Sequence, residues 1–421
     1  MKVLWLSNCP LIESDITSTG TWIQSMAEAL LHIGSIELAV IAVGNVNKYT
    51  RQDCKGVMQW VIPNWVKIRK NGLPSRNIIK DIVITIEQFQ PDIIHVWGVE
   101  LFWGLLISRK YTNIPSILEM QGMKSVWAKY YTADLTVKEI FQCVGIKEVL
   151  KRKFMISYKN DFLKSKRYED EILCGHCYID VQSEWMLAQV NSVQPNAQKY
   201  FVDLALRNSF YSARPWSDFE KNRNMKGTLH NIFISSSGGS PYKGIHVAIR
   251  VLAELKKNYP NARLRIAGKI QKKGLRQDGY VLWLNRLSRK LNVIGSIDWL
   301  GPLNADQIIE ELQYCGVNIV CSFVESYCLA LAEPMYLGVP CVTSFTGGTS
   351  WIGKDNENAL FYTAGDAVMC AHKIDLVFRE PELRNGLSTT ARKEGLKRND
   401  LDRISKDQLM IYKKVIDNVI I

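Results

Sequence analysis

The run Val317 to Gly348 (VNIVCSFVESYCLALAEPMYLGVPCVTSFTGG) admits few folds, because it reads strand, polar loop, helix, strand and glycine turn in one short stretch. Val317 to Cys321 is β-branched and apolar, as a parallel strand buried on both faces requires. Polar and small residues from Ser322 to Cys328 interrupt it, and a helix opens near Leu329. The first amides of such a helix lack intrahelical partners and carry positive partial charge, so the turn before it can hold a phosphate or diphosphate without a metal. Glu325 precedes that N-terminus and Glu333 follows it. Carboxylates do not bind phosphate, but they accept hydrogen bonds from vicinal hydroxyls. The pair therefore fits a ligand with a sugar on either side of a diphosphate, the layout of a nucleotide-sugar. The same spacing occurs in ordinary helix starts, so the flanking strand, loop and helix order carries the reading.

Strand and helix signals alternate elsewhere too, which is an α/β pattern. Lys2 to Ser7, Glu37 to Val43, Trp60 to Val66, Asp92 to Trp97, Ile117 to Met120 and Tyr178 to Gln182 read as strands, with helices over Trp22 to Ile33 and Asn77 to Gln88. A second series follows: strands at Asn231 to Ser236, Arg263 to Ala267 and Ile297 to Leu300, and helices at Gly244 to Tyr259, Gly279 to Leu291 and Ala305 to Tyr314. The expected fold is two doubly wound Rossmann-like domains facing a central cleft. Residues 1–207 form the first domain, with a basic helical insertion at about 130–166. Residues 208–228, polar and charged, read as a linker; 229–395 form the second domain; and 396–421 form a C-terminal helix packing back toward the first.

With 421 residues, 47% of them hydrophobic, the chain can fill two or three cores. The start MKVLWLSNCP has too short an apolar stretch for a signal peptide, and no run approaches the ~20 apolar residues of a membrane span, so a cytoplasmic location is expected. The ten cysteines are scattered; Cys315, Cys321 and Cys341 lie in strand-like contexts and read as buried thiols. Cys174-Gly-His-Cys177 has redox-site spacing, but it follows a helical stretch and precedes a strand. That is the reverse of the order that lowers a thiol pKa at a helix N-terminus. The net charge of +12 is concentrated in part between Lys147 and Lys166, a basic amphipathic stretch. It suits an anionic membrane surface, at the inner face of the cytoplasmic membrane, and equally a solvated helix face. No motif for DNA or RNA accompanies the charge, so no nucleic-acid partner is expected.

Between one strand and helix of the second series, the small-residue loop Ser235 to Gly244 (SSSGGSPYKG) lets backbone amides approach a phosphate, and Lys243 adds a compact positive charge at the helix start. Taken alone, it is also a tight turn with a surface lysine. Gly268 then ends the strand Arg263 to Ala267.

This succession resembles glycosyltransferase family four, which has the GT-B fold. The matching residues are SPYKG (Ser240 to Gly244), LRIAG (Leu264 to Gly268), WLGPL (Trp299 to Leu303), the Glu325 to Glu333 segment, GVPCV (Gly338 to Val342), Gly347-Gly348 and ENALFY (Glu357 to Tyr362). In the N-terminal half, Gly20, PDIIHV (Pro91 to Val96), IPSIL (Ile114 to Leu118) and SEW (Ser183 to Trp185) match more loosely. EMQG (Glu119 to Gly122), ALRNSFY (Ala205 to Tyr211) and YPNARLRIAG (Tyr259 to Gly268) resemble members from bacterial surface-polysaccharide clusters. The resemblance implies a retaining, metal-independent transfer from a nucleotide-sugar, which is substrate rather than cofactor, to a saccharide or lipid-linked saccharide. Glu325 would face the donor sugar and Glu333 the ribose. Ser326, Tyr327, Cys328 and Leu329 would present amides to the diphosphate, with Lys243 and the loop of Ser237, Gly238 and Gly239; Gly20 and Gly268 would allow close approach. Two departures stand out. Gly238 occupies a position where many members have arginine, and Gln121 one where many have a histidine near the reacting sugar. His95 is the nearest alternative histidine. A GT-B nucleotide-sugar epimerase and a noncatalytic sugar-nucleotide or polysaccharide-binding subunit remain as alternatives.

Overall fold

The computed structural model describes residues 1–11, 22–236, 239–268 and 277–420. The apolar runs form two sheets. The first holds β1 (Lys2–Ser7), β2 (Glu37–Gly44), β3 (Thr50–Cys54), β4 (Val57–Pro63), β5 (Ile93–Trp97), β6 (Ser116–Glu119), β7 (Tyr178–Val181) and β8 (Gln198–Phe201). Their spatial order is β3-β4-β2-β1-β5-β6-β7-β8. All pair in parallel except β3, which returns antiparallel on β4. The second holds β9 (Asn231–Ser235), β10 (Arg263–Ala267), β11 (Ile297–Gly301), β12 (Val317–Val320), β13 (Cys341–Ser344) and β14 (Leu360–Tyr362), all parallel, in order β11-β10-β9-β12-β13-β14. Helices cover both faces of each sheet, so the central strands β1, β5 and β12 are buried almost throughout.

Both sheets reverse their winding direction once, between β1 and β5 and between β9 and β12. At such a switch point the loops after the two strands diverge and leave a crevice at the carboxyl ends. In the first domain this places the loops after Ser7 and Trp97 together. In the second it places the loop carrying Lys243 beside the loop carrying Glu325. This is the two-domain GT-B architecture.

Three segments differ from the sequence expectation. The strand expected over 60–66 ends at Pro63, and its partner β3 (TRQDC) is too polar to be read as strand; an edge strand needs no apolar face. Residues 208–228 are not an open linker. Helices Asn208–Ser212 and Glu220–Lys226 pack on the second domain, where Trp216 is fully buried and donates to the Cys315 carbonyl at 2.9 Å. The Arg223 guanidinium lies 3.5 Å from the Trp216 ring centre and donates to the Gln313 carbonyl at 2.7 Å.

The third is the insertion, which follows the first domain in chain order and touches it through Trp127 and Phe162, but adds its buried residues to the second domain's core. Tyr131, Leu135, Cys143 and Met155 join the second domain's core, packing with Ile245, Tyr280 and Trp283. Arg250 reaches back to Asp134 at 2.8 Å and to Glu139 at 3.1 Å, and Lys147 pairs with Asp278 at 2.7 Å. The chain then returns to the first domain through the helix Lys166–Cys174. In the opposite sense, the C-terminal helix Leu401–Ile420 lies on the first domain, where Tyr412 joins the core with Trp5, Ile23 and Leu30.

Candidate functional site

On the second domain's side of the crevice, the turn Pro241–Lys243 closes with Gly244 at φ +70°. A Cβ there would lie 1.8 Å from the Cys321 carbonyl oxygen, so glycine is required for the two switch-point loops to touch. That contact sets Lys243 Nζ 2.7 Å from Glu325 Oε1, which also accepts from Ser322 Oγ at 2.6 Å. Burial works against the Lys243 ammonium, but the Glu325 carboxylate outweighs it and raises the pKa. The Glu325 loop is braced from β13's exit: the Gly348 amide donates to the Glu325 carbonyl at 2.8 Å, and Thr346 Oγ1 to the Phe323 carbonyl at 2.8 Å. Gly347, whose Cβ would lie 1.9 Å from that same Glu325 carbonyl, lets the two chains meet.

The helix Leu329–Leu337 begins one residue later than the left-handed Cys328 (φ 96°, ψ 71°), which gives no side-chain cap. The Leu329 and Ala330 amides at its start have no intrahelical partner and can face an anion, whereas the Leu331 amide already donates to the Cys328 carbonyl at 3.0 Å. Ser326 is buried with its Oγ lacking a partner, so a polar group at the helix start is ready to accept one. Tyr327 contributes only backbone here, because its hydroxyl turns away to accept from Asn399 at 3.0 Å. Glu333, inside the helix, is 5% exposed and held by both arms of Arg207, Nε to Oε1 and Nη2 to Oε2, each 2.7 Å. Gly268 ends β10 at the same edge, its amide bonded to the Gly301 carbonyl at 2.8 Å, and Gly239 precedes the Lys243 turn. Gly20, Ser237 and Gly238 lie outside the described residues.

The first domain closes over this site at two points. Ser183 Oγ donates to the Ser326 carbonyl at 2.8 Å, and the Trp127 ring stacks on Tyr242, the neighbour of Lys243, with centroids 6.4 Å apart. Its own strand ends present partnerless polar atoms: Asn8 Oδ1 after β1, Glu100 Oε2 after β5 and Gln121 Nε2 after β6. Lys124 Nζ donates to the Glu100 carbonyl at 2.7 Å. Burial pushes the Glu100 carboxyl up to about 7, despite nearby Lys124 and Asn8. Unpaired groups of this kind suit a ligand rich in hydroxyls.

His95 requires correction as a site residue. It points from β5 to the opposite face and is fully buried beneath the C-terminal helix, stacked on Trp97 with centroids 4.4 Å apart and bonded through Nδ1 to the Tyr412 hydroxyl at 2.6 Å. Burial lowers its pKa to about 3, so it is a neutral ring that no ligand in the crevice touches. Its Nε2 lies 3.2 Å from Glu119, and one ligand-type atom each of His95, Glu119 and Asp180 falls within 4.8 Å of the others. Burial pushes both acids up, Asp180 to about 7, which favours protonated carboxyls beside a neutral imidazole. Asp180 also accepts from Gln408 at 3.0 Å, so the cluster fastens the C-terminal helix to the sheet. Cys174 and Cys177 are exposed, free thiols, the first at a helix C-terminus.

Arg207, Ser322 and Glu100 escaped sequence reasoning as site residues. Arg207 lies within the ALRNSFY phrase, but nothing in its spacing names Glu333 as partner. The only available signal was that a glutamate in a buried helix demands a cation.

The fold and site geometry thus define a GT-B protein with an anion-ready turn in its second domain. Residues 217–394, most of that domain, match the family model Glycosyl transferases group 1. Among curated proteins, an undecaprenol-linked-glycan α-1,4-N-acetyl-D-galactosaminyltransferase of Campylobacter jejuni is 29% identical over 171 residues, covering 40% of this chain and 44% of that one. The matched stretch spans about half the length of the curated relatives. Among solved structures, sucrose-phosphate synthase from Thermosynechococcus elongatus superposes with TM-score 0.76 at 14% identity, covering 99% of this chain and 100% of that one. The Anabaena protein HepE in complex with UDP-glucose gives 0.69 at 16%, covering 98% and 100%.

Proposed function

We propose that this protein is a glycosyltransferase that moves a sugar from a nucleotide-sugar to a saccharide acceptor, with retained anomeric configuration and without a metal. The observation that carries the proposal is the Lys243–Glu325 pair at the second domain's switch point, set beside an uncapped helix start and the partnerless Ser326 hydroxyl. In this reading the diphosphate takes the helix amides, Ser326 and Lys243, whose ammonium turns from Glu325 to phosphate when donor binds. Glu325 is thereby freed for the donor sugar's hydroxyls. Glu333, oriented by Arg207, takes the ribose. As the bond between sugar and diphosphate breaks, negative charge grows on the leaving phosphate, where Lys243 and the amides already point; that is electrostatic preorganisation. The acceptor hydroxyl, held by Asn8, Glu100 and Gln121, bonds to the anomeric carbon on the face the diphosphate leaves and gives its proton to the departing phosphate oxygen, so the configuration is kept. No resident cofactor is needed, because the nucleotide-sugar is a substrate.

The Campylobacter relative's lipid-linked substrate supports a lipid-linked acceptor for this chain, and with it a role in surface polysaccharide synthesis at the inner face of an anionic membrane. No helix among the described residues is long and apolar enough to cross a membrane, so the basic insertion would make that contact. The test is release of nucleoside diphosphate from a panel of nucleotide-sugars with and without a saccharide acceptor. Glu325→Gln should lose about 100-fold or more in turnover while keeping its melting temperature. Equal turnover in the variant, or sugar interconversion without acceptor, would refute the proposal.

A further inference from the structure

The insertion's helices are amphipathic the wrong way round. Helix Ile146–Lys151 buries Glu148 and exposes Ile146, Val149 and Leu150, which share one face at i, i+3 and i+4. Helix Val137–Gln142 buries none of its residues and exposes Val137 and Phe141. Phe154, Ile156 and Leu163, in the segment that follows, are exposed as well. Leu150 is 79% exposed and Phe141 76%, values that normally mark a face meant to be covered. Beside it, an apolar groove of about 440 Å³ runs between helix Ile146–Lys151 and the second domain's helix Gly279–Lys290, lined by Val144, Ile146, Val149, Leu150, Leu282 and Arg286.

Charge selects the occupant. Residues 137–166 carry eight Lys or Arg against three acidic residues, and Lys138, Lys151, Arg152, Lys164 and Lys166 in the same segment are exposed. A second copy of this chain would bring the same positive charge against it, which is repulsive. An anionic bilayer supplies both a low-dielectric interior for the apolar side chains and phosphates for the cations.

We propose that this face docks on an anionic lipid bilayer, with Phe141, Val149 and Leu150 below the headgroups and one lipid chain in the groove. The inference rests on the membrane reading above and makes it specific: apolar insertion, not charge alone, holds the protein. It also implies that the second domain faces the membrane through the insertion, since Lys147 ties the groove's wall to Asp278.

The experiment is flotation of the full chain with phosphatidylcholine vesicles, with and without phosphatidylglycerol, for wild type, Val149→Asp/Leu150→Asp and Lys151→Gln/Arg152→Gln. Wild type should float only with the anionic lipid. The aspartate variant should partition about tenfold less, and the glutamine variant should show a shallower salt dependence than wild type. Both sites are exposed, so an unchanged melting temperature checks folding. Wild type that fails to float, an aspartate variant that floats normally, or a concentration-dependent dimer in light scattering that the aspartate variant abolishes would each overturn the proposal. Turnover on a water-soluble acceptor should be the same in all three proteins. Its absence in wild type that floats normally would count against the transferase reading and leave the docking face standing.

Discussion

Replacing Arg207 by alanine tests the role of a buried cation that its place in the sequence did not reveal. The Arg207 and Glu333 side chains are 10% and 7% exposed, and both carboxylate oxygens are taken by the guanidinium, which also lies 5.1 Å from the Phe210 ring centre. Arg207→Ala leaves a carboxylate in the core without its cation, which typically costs about 3–5 kcal/mol. At about 2–4 °C per kcal/mol for a domain of this size, the second domain should melt about 6–20 °C lower. Arg207→Met/Glu333→Gln removes both charges and should recover most of the loss, while still binding nucleoside more weakly than wild type does. Thermal melts with and without nucleoside diphosphate read both of these. A drop under about 2 °C for Arg207→Ala, or a double variant as unstable as the single one, would refute the claim that Arg207 exists to hold Glu333.

Lys243→Ala should weaken nucleoside diphosphate about tenfold or more by calorimetry and leave nucleoside affinity nearly unchanged; equal weakening of both would remove Lys243 from the phosphate site. Gly244→Ala, with its Cβ forced against the Cys321 carbonyl and φ at +70°, should destabilise the second domain by at least ~2 kcal/mol in urea titration. Gly295→Ala, which meets nothing within 4 Å, is the silent control. In the cluster under the C-terminal helix, Asp180 keeps its proton up to about pH 7 when folded but loses it near the ordinary 3.8 when unfolded, so its contribution declines as pH rises across that window. His95, neutral when folded down to about pH 3, works in the opposite sense below its ordinary 6.5. Asp180→Asn should therefore lose less stability than wild type between pH 5 and 7.5 by urea midpoint; an identical slope would contradict the protonated-carboxyl reading.

The second domain was legible because its strands are buried on both faces and so are continuously apolar, and because glycines stand where loops must touch. Val317 to Val320 and Gly244 each carry their structural reason in their own identity. Partners distant in sequence carry no such mark. Arg207 and Glu333 meet only because residues 208–226 fold onto the second domain, and that segment's polarity, read as a linker, belongs to helices with one solvated side. His95 was misplaced for a related reason: position on a strand gives depth, but the sheet face it points to depends on register, and here that face is covered by a helix more than 300 residues later. The insertion's charge was visible, whereas its attachment to the second domain rests on Tyr131, Leu135 and Met155 finding a core that the sequence does not name.

That attachment bears on how such a protein can be recombined. A chimera joined at residue 208, the natural place to swap one nucleotide-binding half for another, would separate Tyr131, Leu135, Cys143 and Met155 from the core they complete. It would also carry away the helix Leu401–Ile420 that roofs Trp5 and His95. The transplantable unit is discontinuous: roughly 128–165 travels with 207–399, and 400–420 stays with the first half. A graft that respects those seams should express as a folded chain, and one cut at 208 alone should not.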